Sequence, residues 1–389
     1  MICKQKLITL LLVFVFSSSI FANTHDPYRK KLENSFNTLN KISLQQRMEQ
    51  LKISGLSIAI IEESKLKHVE TFGFSNKEKK VPVTADTFFQ AGSISKSFTG
   101  MGVLKLVEMG KVDLDRNINN YLSRWKLKDN EHNKHTQVTA RMLLSHTAGT
   151  SVSGFDGYER NAPIPTLLQV LDGSPPANSK PIKIISTPGK KWNYSGGGTT
   201  ILQLMIEDVT GKKFDEWMKE NLLVPLRMNQ SSFKQPPTMA LKFATGYKPN
   251  GEPVKGEWHV YPELAAAGLW TNPTELANSI IQLNNILQGK SSLPISKSMF
   301  KQMLTPQVSI QNSRSKIGLG LELRSTQKSK IFLHQGGNEG FIALWFGYVN
   351  EPQGTVIMIN SDGEDAWLFM KEIYLAICKT QGWEIILFV

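Results

Sequence analysis

The chain has 389 residues, enough for one large domain or two lobes sharing a core. Hydrophobic residues make up 40% and charged residues 20%, which excludes a mainly disordered chain. The net charge of +12 comes from short, dispersed basic runs such as 77–80, which contains Glu78. No run interleaves lysines with aromatics, so no nucleic-acid partner is expected; beyond a solvated basic surface, the weaker functional reading is attraction to anionic envelope polymers or membranes.

Residues 1–22 read as a secretory signal. Lys4 and Lys6 precede an apolar run over 7–16, and Ser17, Ser18, Ser19 and Ala22 offer small residues for cleavage. The run is shorter than the about twenty residues a bilayer requires. The alternative is an uncleaved anchor over 7–21. Cleavage implies a periplasmic or secreted protein with no stable membrane span. Of the two cysteines, Cys3 leaves with the signal, so Cys378 has no internal partner; in its apolar helical pattern it reads as a small buried hydrophobe.

Leu32, Phe36, Leu39, Met48 and Leu51 recur at helical spacing and predict one or two amphipathic helices. Runs 56–62 and 66–74, separated by Glu63-Ser64-Lys65, predict a β-hairpin. At Ser93-Ile94-Ser95-Lys96 an extended segment turns into a helix, so a hydroxyl and an amine three residues apart share one face. A serine becomes a competent nucleophile beside a base, and a lysine serves as that base where burial or positive charge disfavours its ammonium form. The spacing of Phe98, Met101, Leu104, Val107 and Met109 gives the helix one apolar face, with Gly110 as its C-cap.

His132 and His135 lie in a polar loop without further ligands and predict no metal site. Trp192-Asn193-Tyr194-Ser195-Gly196-Gly197-Gly198 leads into a helix over 199–209. Its glycines allow close backbone approach, and a tyrosine held there can exchange protons near a cation, although for this segment alone a packed tyrosine at a Gly-rich helix start is the stronger reading. Further helices are predicted over 214–223 and 273–287, the latter with Asn272 as N-cap and Pro273 at its first position.

Strands are predicted over 317–323, 330–333, 341–349 and 355–360, then a helix burying Ala366, Phe369, Met370, Ile373 and Ile377. His334-Gln335-Gly336-Gly337 falls between two of these runs, where bare glycine backbone could offer N–H groups to a carbonyl or form a bulged turn. The fold class is α+β: one antiparallel sheet built from both chain ends, flanked by helices, with an inserted, mostly helical lobe. The domain spans about 28–380, with its sheet lobe over 30–88 and 300–380 and its helical lobe over 89–299.

The three motifs in this order resemble the serine β-lactamase/penicillin-binding-protein superfamily, in the branch holding class C β-lactamases, D-alanyl-D-alanine carboxypeptidases and related esterases. The resemblance runs from about 55 to 360. It includes Met142-Leu143-Leu144-Ser145-His146-Thr147-Ala148-Gly149 and Glu263-Leu264-Ala265-Ala266-Ala267-Gly268-Leu269-Trp270.

It implies a β-lactamase/transpeptidase-like fold, with Ser93 as the acylated nucleophile, Lys96 as its deprotonating partner and Tyr194 as proton shuttle. It further implies substrate binding by His334, Gly336, Gly337 and Gly196, an oxyanion hole from the N–H groups of Ser93 and Gly337, and a structural His146. Gly196 stands where the family's Tyr-x-Asn places an asparagine, and His334 where many β-lactamases carry lysine. Both departures favour ester, peptidase or amidase work over β-lactam hydrolysis. The expected substrate is a small molecule or peptide, such as a cell-wall peptide or β-lactam, turned over without a cofactor. A receptor or scaffold that binds penicillin without turnover is the alternative.

Overall fold

The computed structural model describes residues 26–235, 237, 242–326 and 328–386. The expected signal over 1–22 lies outside the described residues. Helix α1 (Pro27–Asn40) starts where the Asp26 carboxylate accepts the Tyr28 N–H and Pro27 presets the first turn. Helix α2 (Leu44–Gln50) starts on a reciprocal Ser43–Gln46 capping box. Leu32, Phe36, Leu44 and Met48 are buried, whereas Leu39, in the last turn of α1, is 44% exposed despite its spacing.

Strands β1 (Gly55–Glu62) and β2 (Lys65–Asn76) form the expected hairpin. Glu63 and Ser64 both take positive φ, at 52° and 56°, in a tight turn that matches the strand twist. On its other side β1 pairs with the strand Gly354–Ile359, Ile58 opposite Ile357, so the two chain ends meet in mid-sheet. The nine-stranded antiparallel sheet continues through Phe341–Tyr348, Lys330–Asn338, Glu322–Ser325, Lys316–Ile317 and Val308–Ser309; Val81–Pro82 completes the far edge beside β2.

Side chains alternate across these central strands and are buried on both faces. Ile58, Ile60, Leu344 and Ile357 pack under α1, α2 and the C-terminal helix Glu364–Gln381. Ala59, Ile61, Trp345 and Met358 pack under the helix Pro273–Leu287 and helix α3 (Ser95–Glu108). Cys378 is buried in the first of these cores.

Three elements differ from the sequence expectation. Helix α3 is buried nearly all round rather than on one face, because it lies between the sheet and the helical lobe. Gly100 and Gly102 make room there: an added Cβ would stand 2.7 Å from the Leu319 carbonyl and 2.7 Å from Met218 Sδ. Met109, just past its end, is instead 45% exposed. The predicted strand over 317–323 is two short strands, broken where Gly320 takes φ +84° and Gly318 N–H turns back to the Leu321 carbonyl. The strand predicted over 330–333 runs on unbroken to Asn338, so the His334 segment lies within it rather than in a turn.

Candidate active site

Ser93 sits in a tight turn, Gly92–Ile94, that feeds the N-terminus of α3. Gly92 takes φ +50°, and a Cβ there would stand 2.6 Å from the Gly337 nitrogen. A Cβ on Gly336 would meet the Ala91 carbonyl oxygen at 1.9 Å and the Ser93 nitrogen at 3.2 Å. Glycine at these positions therefore lets the serine turn press against the His334 strand, backbone on backbone. Beyond Leu333 that strand pairs, among the described residues, only with Phe341–Tyr348, and its other edge faces the serine turn.

One helical turn after Ser93, the Lys96 side chain is buried. Its Nζ donates to Ser93 Oγ at 2.9 Å and to the Ala266 carbonyl at 2.9 Å. The segment around the short helix Leu264–Ala267 grips the neighbourhood from beneath. The Ala265 carbonyl accepts from Thr99 Oγ1, Leu269 N–H donates to Ser95 Oγ, and the Leu269 carbonyl accepts Ala91 N–H. The Ala267 carbonyl accepts Asn338 Nδ2 at 3.1 Å, tying the same segment to the His334 strand.

Tyr194 precedes the helix Gly196–Thr210, which begins at Gly196 because the Ser195 hydroxyl caps Gly198 N–H. The loop over 146–153 clamps this segment. The His146 carbonyl accepts Asn193 N–H at 2.7 Å, His146 Nδ1 accepts Ser195 N–H at 3.2 Å, and the Ser153 carbonyl accepts Gly196 N–H at 3.0 Å. Lys96 Nζ lies 5.1 Å from the centre of the Tyr194 ring, close enough for cation–π attraction. The ring centres of His146 and His334 lie 4.5 and 6.4 Å from that of Tyr194.

Ser93, Tyr194, His146, His334 and Gly337 thus line one cavity of about 560 Å³. Lys96 reaches the site from below through Ser93. Gly336 spaces the strand from the serine turn rather than lining the cavity, and Gly196 lies off its wall, packed against Phe155 and Ser153. His146, expected to be structural, does hold the tyrosine segment, but its ring also faces the cavity.

Two further walls escaped the sequence reading. Trp192 and Trp367 supply aromatic surface, and the turn over 310–315 closes one side, with Glu322 and Arg324 ion-paired beside it at 2.6 Å. Trp192 stands two residues from Tyr194 and was open to notice; the 310–315 turn carries no motif.

Burial, then the positive charge of Lys96, holds the His334 imidazole down at about 4, so it is neutral at pH 7; its Nδ1 meets the Gln335 carbonyl at 2.5 Å. The same two causes, followed by His334, hold His146 well below its ordinary value. Among the described residues, one group of three potential metal-ligating side chains comes together, Asp26, His68 and Glu70. None of the three lines the cavity, and Arg29 Nη1 stands 3.8 Å from Glu70.

Residues 43–375 match the Beta-lactamase family. The chain belongs to that family. Protein flp of Staphylococcus aureus (strain N315) is 27% identical over 239 residues, 60% of this chain and 46% of flp. The chain thus spans about half the length of this relative. The octameric penicillin-binding protein homologue from Pyrococcus abyssi superposes with a TM-score of 0.72 at 23% identity, over 90% of this chain and 78% of that one. The D-amino acid amidase from Ochrobactrum anthropi SV3, crystallised with L-phenylalanine amide, gives 0.67 at 20% identity, over 92% and 98%. At such identities the likeness establishes the fold: the β-lactamase/penicillin-binding-protein fold.

Proposed function

We propose that the protein is a periplasmic or secreted serine hydrolase that opens an amide or ester carbonyl through an acyl-enzyme on Ser93. The observation that carries this reading is Lys96 Nζ, 2.9 Å from Ser93 Oγ and 2.9 Å from the Ala266 carbonyl. In its uncharged form, an amine held in that bridge keeps an N–H on the carbonyl while its lone pair takes the serine proton. Oγ then bonds to the substrate carbonyl carbon. The oxyanion that forms is met by the N–H groups of Ser93 and Gly337, whose backbones the glycine packing draws together. Tyr194, beside Lys96, returns the proton to the leaving nitrogen or oxygen, and water then cleaves the acyl bond by the reverse path.

The site is better suited to amides and esters with no carboxylate beside the scissile carbonyl than to β-lactams. A neutral His334 attracts a carboxylate less than an ammonium would. A D-amino acid amidase among proteins of the same fold agrees with this preference.

Intact-protein mass spectrometry tests the reading, with a D-alanyl dipeptide, a D-amino acid amide, a p-nitrophenyl ester and benzylpenicillin as substrates. A transient acyl adduct on Ser93 with continuing product release is the expected result, and Ser93→Ala forms no adduct and loses turnover. A single, persistent stoichiometric adduct would make the protein a receptor. Ester hydrolysis by Ser93→Ala near the wild-type rate would end the serine mechanism.

A further inference from the structure

The hairpin formed by Val308–Ser309 and Lys316–Ile317 separates two hollows. Ile310, Ser315 and Ile317 line the catalytic cavity, whereas Arg314 and Lys316 line a second hollow of about 460 Å³. Lys297 and Lys301 join its rim from the helix Lys297–Met303, and Lys330 joins from the first position of the His334 strand. All five cationic side chains are exposed. Among the described residues none of the five is ion-paired, whereas Arg324, which also reaches this hollow, is paired with Glu322. Between them the floor is apolar, formed by Leu287, Leu304, Leu323 and Val349, which lie on one face of the sheet.

Like charges gathered around one depression repel, and Lys297 and Lys301, four residues apart on one helix, repel along it as well. An anion bound between them would turn that repulsion into attraction. Guanidinium and ammonium groups together suit a phosphate, which accepts several charge-assisted hydrogen bonds at once. Phosphate alone leaves the apolar floor uncovered. The volume suits one small molecule rather than a polymer.

We propose that this hollow binds an amphiphile with a terminal phosphate, its phosphate on the lysine–arginine rim and its first aliphatic carbons on the floor of Leu287, Leu304, Leu323 and Val349. The site lies across the hairpin from the catalytic cavity, with Arg324 reaching both, and it gives the basic net charge a defined place of action. It stands independently of the chemistry at Ser93.

Isothermal titration of the purified chain with dihexanoyl phosphatidic acid, kept below its micelle concentration, tests the proposal. Inorganic phosphate and dihexanoyl phosphatidylcholine are the comparison ligands. Phosphatidic acid is expected to bind at least tenfold more tightly than either. The variant K301E/R314E/K330E is expected to lose at least tenfold in affinity. The variant K77E/K80E/K128E, with the same change in net charge elsewhere, keeps it, and Ser93→Ala binds like wild type.

Equal affinity for inorganic phosphate would remove the role of the floor and overturn the proposal. So would equal loss in the two charge variants, which would reduce binding to net charge, or loss of binding in Ser93→Ala. Should the triple variant fail to fold, Arg314→Gln and Lys330→Gln singly must each weaken binding; unchanged affinity in either refutes the site.

Discussion

Neighbouring glycines on the His334 strand do different work. Gly336 faces the serine turn, where an added Cβ would stand 1.9 Å from the Ala91 carbonyl oxygen; neither that backbone nor the strand can yield without separating Ser93 from Gly337. Gly337 points the other way, and its added Cβ would meet only the edge of Trp367 at 3.2 Å, which a small side-chain shift relieves. Gly336→Ala should therefore lose at least ~2 kcal/mol of stability and nearly all turnover, whereas Gly337→Ala should fold with near-native stability. Urea unfolding and ester turnover of both variants check this; equal stability would contradict the close packing. The sequence revealed that bare backbone was wanted here. It did not reveal which glycine spaces the strand and which one faces the cavity, because that depends on strand pairing with Phe341–Tyr348 rather than on local pattern.

Among elements, the segment Glu263–Leu269 has the widest reach. Its backbone receives or supplies hydrogen bonds to Lys96, Thr99, Ser95, Ala91 and Asn338, so it joins the serine helix to the His334 strand from below. Glu263 lies at its start, fully buried, with neither carboxyl oxygen hydrogen-bonded among the described residues. Burial pushes its carboxyl up to about 8. The unfolded chain releases this proton near the ordinary carboxyl value of about 4.5, and the folded chain holds it until about 8. Stability from this group is therefore lost as pH rises through that window.

Glu263→Gln cannot ionise. Its stability relative to wild type should climb between pH 5 and pH 8, by up to about 1.4 kcal/mol per pH unit. Urea unfolding at both values measures the difference; a gap that does not change with pH would mean that the acid is ionised in the fold or solvated. In the sequence this segment was recognisable only by resemblance. The consecutive small residues 265–268 carry no periodic signal, and their value lies in carbonyls and N–H groups that any residue possesses.

At the scale of the whole molecule, the architecture was largely legible because hydrophobic period follows burial. The hairpin at 55–76, the strands near the C-terminus and the long helices all left alternating, continuously apolar or helical patterns. The order of the strands did not, since pairing β1 with Gly354–Ile359 joins residues about three hundred positions apart. Nor did the cavity walls, where the 310–315 turn owes its place to that sheet order.

Joining both ends in one sheet leaves the outer helices to fasten the N-terminal segment to the C-terminal one. Arg47 on α2 makes a two-pronged contact with Glu372 on the C-terminal helix: Nε donates at 3.0 Å and Nη2 at 2.6 Å, with the Glu372 side chain 11% exposed. Fork geometry and burial make this pair worth more than a surface ion pair. A double-mutant cycle of Arg47→Ala and Glu372→Ala should give a coupling of about 1–3 kcal/mol in urea unfolding. Arg47→Ala alone should cost at least as much, because it strands a nearly buried carboxylate. Neither residue lines the catalytic cavity, so kcat below the unfolding range should stay within about twofold of wild type. A coupling near zero would show that the sheet alone unites the two ends. A fall in kcat matching the loss of stability would show that the outer helix layer shapes the site as well as covering it.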